Sequence, residues 1–132
     1  MRLVLAWAPA VLVALLIFLL SNTRDLAVTT GTLELILRKG AHLAIFGLLA
    51  VACFRGLLAH RLWGAGPWIG AWLLATGYAV TDELHQATVP TRHGAPLDVA
   101  IDAAGAAGGL LVLAIALRYL GDRRWLRAVV AA

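Results

Sequence analysis

Apolar residues run along this chain in four long blocks, and the polar residues within and between them are few and gathered. The first block, Leu3 to Leu20, is built of Leu, Val, Ile, Phe and Ala with Trp7, and carries Pro9 near its start, where a proline does least harm to a helix. The second runs from about Leu33 through Lys39 and His42 to Leu58, the third from Pro67 to about Leu84, and the fourth from Leu97 to about Leu120. A helix needs about 20 mostly apolar residues to cross roughly 30 Å of hydrocarbon. The pattern therefore predicts an all-α fold, an integral membrane bundle of four transmembrane helices. Gly31, the Gly64-Ala65-Gly66-Pro67 stretch and the segment from Pro90 to Pro96 mark the turns between them.

Composition supports the membrane assignment. Of 132 residues 62% are hydrophobic and 14% charged, against roughly 45–50% and about 25% in soluble domains. A chain of 14.0 kDa with no Ser-, Pro- or Gly-rich linker has room for a single domain, residues 1–132. Cys53 stands alone inside an apolar block and can form no intrachain disulfide. Met1-Arg2 followed by an apolar run is also how a cleaved signal peptide begins. Here the run is longer than the usual core of about 7–15 residues and leads into Ser21-Asn22-Thr23-Arg24 without a small-x-small cleavage site, so a retained anchor is expected.

The net charge of +4 and pI near 10.2 would suit nucleic acid, but the basic residues sit in short clusters flanking the apolar blocks. Topology signals have that distribution, and no nucleic-acid partner is expected. Arg2, Arg55, Arg61, Arg118, Arg123, Arg124 and Arg127 fall on one side of a four-span arrangement, and Arg24, Arg38, Lys39 and Arg92 on the other. Lys and Arg prefer the cytoplasmic side. This asymmetry predicts a multi-pass protein of a bacterial inner (cytoplasmic) membrane with both termini cytoplasmic.

Most of the remaining polar residues concentrate at the outer side of that arrangement. Asp82, His85 and Gln86 are spaced i, i+3 and i+4 and share one helical face if the third helix continues to Gln86, with Glu83 beside them. Asp98 and Asp102 lie above Gly105 and Gly109 at i, i+4, i+7 and i+11, which sets two carboxylates over a small-xxx-small packing seam. Lys39 and His42 head the second helix, and Arg92 lies in the last connection. Charged groups near hydrocarbon cost roughly 2.5–3.5 kcal/mol each on insertion scales, so such a concentration points to function. Plainer roles also fit single residues: Asp98 as a first-turn acid on the helix dipole, Arg38 as a side chain snorkelling to the interface, and Trp63, Trp68, Trp72 and Trp125 as aromatic belt.

These motifs in order, Lys39-Gly40-Ala41-His42, Asp82-Glu83-Leu84-His85-Gln86, Pro90-Thr91-Arg92, and Asp98-Val99 with Asp102, Gly105 and Gly109, resemble the VanZ-like family of small bacterial membrane proteins. The resemblance covers roughly residues 39–109. It departs from the family pattern at Thr91, where glycine often precedes the arginine, and at His93-Gly94-Ala95, which replaces an aromatic-Ser type of segment. The family takes its name from a protein associated with teicoplanin resistance, and the resemblance implies a cell-envelope role without specifying a reaction.

Three functions remain open. In a binding module, Lys39, Arg92 and His93 hold an anionic, lipid-linked headgroup while Glu83, Gln86, Asp98 and Asp102 orient those cations. In an enzyme, the acids and histidines do acid/base work on a lipid-linked substrate, or hold a hard metal. No H-E-x-x-H spacing and no Ser or Cys beside a base is present, so no metal or cofactor is assigned. In a purely structural role, the carboxylates pair with Lys39, His42 and Arg92 to fix helix packing. The binding module is the leading expectation, with membrane lipids as the partners.

Overall fold

The computed structural model describes residues 2–22, 32–60, 62, 64–88 and 95–120. They form four α-helices: α1 (Arg2–Asn22), α2 (Thr32–Leu58), α3 (Gly66–Gln86) and α4 (Pro96–Leu120). The all-α bundle is as expected, and α3 does continue to Gln86. Three helices are long and apolar enough to cross a membrane, over Leu3–Asn22, Ile36–Leu58 and Pro96–Tyr119. The chain is a membrane protein. At 21 residues α3 spans about 31 Å, which is long enough, but Gly66, Gly70, Gly77, Thr76, Thr81 and the acids at its end lower its apolarity.

Local chemistry sets the helix starts. Gly64 adopts φ +65°, a left-handed conformation suited to glycine, and turns the chain into Pro67 at the first turn of α3. Pro96 opens α4 in the same way, and Asp98 donates its N–H to the Ala95 carbonyl.

The α2 helix is the hub, packing on α1, α3 and α4, whereas α1 touches α3 only lightly. Its Phe46, Leu49, Ala50, Cys53 and Phe54 meet Ala71, Ala75 and Ala79 of α3 and Ala106, Leu110 and Leu113 of α4. The i, i+4 alanines on α3 are fully buried and let that helix approach closely. Large side chains of α1 and α4, Val4, Leu12, Leu15, Leu111 and Val112 among them, point outward. Contiguous exposure of this kind is a liability in water and an ordinary surface in lipid.

Two backbone features hold the bundle together. A Cβ placed on Gly105 would lie 2.8 Å from the Leu43 Cα, and one on Gly109 would lie 2.6 Å from the Gly47 Cα. The α2 and α4 backbones are thus in direct contact along a glycine seam, the close approach that small residues permit in membranes. Across the bundle, Pro9 has no N–H to give the Leu5 carbonyl four residues earlier. Arg55 Nη1 supplies the missing donor, 3.1 Å from the Leu5 oxygen and 3.2 Å from that of Ala6. A neighbouring helix re-satisfying a freed carbonyl is how lipid-embedded helices tolerate proline. Tyr78 adds a bond from its hydroxyl to the Ala14 carbonyl, at 2.7 Å.

Candidate functional site

The helices α2 and α4 run parallel, with the N-terminal part of α2 beside the first turns of α4 and side chains paired in register. Lys39 Nζ bonds to Asp98 Oδ1. One turn deeper, His42 Nδ1 lies 3.5 Å from Asp102 Oδ2 and 3.3 Å from Oδ1. Burial rises steeply on the α4 side only: Asp98 is 30% and Asp102 1% exposed, whereas Lys39 and His42 are 31% and 25% exposed. The His42 ring rests on Phe46, which is fully buried, with ring centres 6.1 Å apart. Beneath it the contact of Gly105 with Leu43 and of Gly109 with Gly47 brings the helices together.

The end of α3 completes the arrangement. Gln86 Nε2 donates to Asp82 Oδ2 at 2.8 Å and to Ser21 Oγ of α1 at 3.4 Å, all three side chains being buried. Glu83 instead ties the last connection down: its Oε1 accepts the Ala95 N–H at 2.6 Å, which fixes the residue leading into α4. His85 turns to α1, with Nε2 3.3 Å from Asn22 Oδ1 and its ring 5.0 Å from that of Phe18. Arg92 lies outside the described residues.

Lys39, His42, Gln86, Asp98 and Asp102 therefore share one cavity, whose wall also includes Arg38 and Ile101. Asp82 stands behind it, holding Gln86. The cavity measures about 20 Å³, room for roughly one water-sized group. Arg38 reads from the sequence as an interfacial side chain, and Ser21 carries no site signal there. Nothing in the spacing separates Arg38 from any other arginine at a helix end, and Ser21 matters only through the α1–α3 contact. Among the described residues no three His, Cys, Asp or Glu side chains are grouped as a metal site.

A family model described as VanZ/LLP1 matches residues 4–117. The chain belongs to the VanZ/LLP1 family. The VanZ/LLP1 match reaches into all four helices, takes in every residue of the cavity, and extends past the motif-bearing stretch into α1. The basic segment from Arg118 onward falls outside it. No curated protein and no solved structure matches the chain.

Chemically, this VanZ/LLP1 site can do two things. With Nδ1 engaged by Asp102, His42 keeps Nε2 as its second ring nitrogen, in an orientation set by a buried carboxylate. Arg38 is exposed, lies in the wall, and has no carboxylate partner among the described residues. It brings a two-pronged donor suited to phosphate.

Proposed function

We propose that the polar cavity at the head of α2 and α4 binds the headgroup of an anionic, lipid-linked molecule at the outer face of the bacterial inner membrane. The observation that carries this reading is the convergence of side chains from three helices on one cavity, with Arg38, which has no carboxylate partner among the described residues, in its wall. Lys39 is already matched by Asp98, so its charge positions the site while Arg38 supplies net attraction for a phosphate. The glycine seam below closes the helices together, which suits a ligand docking at headgroup depth better than one passing through. A cell-envelope precursor is one molecule of this chemistry, and the family's resistance association accords with it. Both termini are then cytoplasmic, in keeping with the basic asymmetry of the sequence.

The test is native mass spectrometry of the full chain released from membranes in mild detergent. Retention of an anionic lipid in preference to zwitterionic ones is expected. Release of all lipid classes alike would overturn the reading.

The His42–Asp102 pair favours a second reading, in which Nε2 acts as a general base on a bound lipid-linked substrate. Turnover of the retained lipid by the wild type, lost in His42→Gln, would select it.

A further inference from the structure

One oxygen of the most buried carboxylate of the site is left without a hydrogen-bond donor among the described residues. Asp102 Oδ1 lies 3.3 Å from His42 Nδ1 but accepts no hydrogen bond among the described residues. A carboxylate has about four lone-pair positions, and the His42 ring bonds only to Oδ2. Buried polar atoms in native proteins are almost always satisfied. Among the described residues Lys39 bonds to Asp98, and Gln86 Nε2 to Asp82 and Ser21. A further donor has a route to it through the cavity, which Asp102 helps to line.

The size of the cavity restricts that donor. About 20 Å³ admits one group the size of a water molecule, such as a hydroxyl or an amine nitrogen. A phosphate is larger than that space and fits at its open mouth, beside the exposed Arg38 in the wall.

We infer that the site reads its ligand at two points, an anion held by Arg38 at the cavity mouth and a hydrogen-bond donor, hydroxyl or amine, inserted against Asp102. This rests on the headgroup reading above and narrows it to headgroups that carry a donor besides the anion. A bare phosphodiester offers no second point and binds more weakly.

Lipid pairs that differ only in the donor test this directly. The full chain is offered phosphatidylglycerol against phosphatidylmethanol, which share one phosphodiester charge and differ in the glycerol hydroxyls. It is offered phosphatidylethanolamine against phosphatidylcholine, whose quaternary ammonium has no N–H. Retention is read by native mass spectrometry. The donor-bearing lipid of at least one pair should be retained roughly tenfold over its partner, as for a hydrogen bond to a charged group. A preference in the first pair identifies a hydroxyl and one in the second an amine. In Asp102→Asn, checked for folding by thermal unfolding, the preference should fall several-fold. The wild-type comparison stands whether or not that variant folds. Equal retention within both pairs, with anionic lipids still above phosphatidylcholine, would overturn the two-point reading and leave headgroup binding in place. No anionic preference at all would overturn both.

Discussion

His42 on α2 meets Asp102 on α4 one turn below the Lys39–Asp98 pair, with Nδ1 3.3 Å from a carboxylate that is 1% exposed. Removing the imidazole leaves a buried charge without its partner. The cost is about 2–3 kcal/mol, at or below the low end for buried pairs because His42 is a quarter exposed. His42→Leu should lower thermal stability in detergent by that amount, and His42→Leu with Asp102→Leu should recover most of it. Additive losses in the double variant would show that the two residues do not act as a pair.

The glycine seam predicts a sharp difference between neighbours. Gly109→Ala places a methyl 2.6 Å from the Gly47 Cα, whereas Gly108 has nothing within 4 Å of a built Cβ. Gly109→Ala should destabilise by about 1–3 kcal/mol through forced helix separation. Gly108→Ala should be neutral or gain up to about 1 kcal/mol of helix propensity. Equal melting temperatures for the two variants would contradict the backbone contact.

Pro9 and Arg55 should be energetically coupled. Arg55→Met leaves the Leu5 carbonyl without a donor, at a cost of about 1–2 kcal/mol. Pro9→Ala gives that carbonyl a donor within α1, so the same Arg55→Met change should cost less in that background. A double-mutant cycle measured by thermal unfolding checks the sign, and a coupling of zero would mean Arg55 serves only as a topology signal.

The orientation proposed for the site has its own test. A periplasmically active reporter fused after Thr91 should be active, and the same reporter fused after Trp63 should be silent. The reverse pattern would place the cavity on the cytoplasmic side.

The helices were legible because length and apolarity are properties of each block alone. Lys39, His42, Asp82, Asp98 and Asp102 also stand out in the sequence, because such groups are expensive in hydrocarbon wherever they point. What sequence could not supply was pairing across helices. That Lys39 meets Asp98 and His42 meets Asp102 depends on α2 and α4 being parallel and in a register set by Gly47, a residue with no polar signal of its own. His85 shows the limit in the other direction: its spacing from Asp82 allows a shared face, yet the docking of α1 draws it to Asn22 and Phe18. The role of Arg55 was hidden for the same reason, since a carbonyl freed by Pro9 in one helix says nothing about which helix answers it.

Two arginines at opposite ends of the bundle, Arg38 and Arg118, separate an anionic headgroup held at the cavity from general charge attraction. Arg38 lies in the cavity wall, and Arg118 lies at the far end of α4 beside Tyr119. Each neutralisation removes one charge, worth about 1 kcal/mol near an anionic surface, or roughly fivefold in retention. Retention of phosphatidylglycerol over phosphatidylcholine, measured by native mass spectrometry on Arg38→Gln and Arg118→Gln, should fall about fivefold or more in the first and stay near wild type in the second. An equal fall in both, or an unchanged preference in Arg38→Gln, would contradict a headgroup site at this cavity.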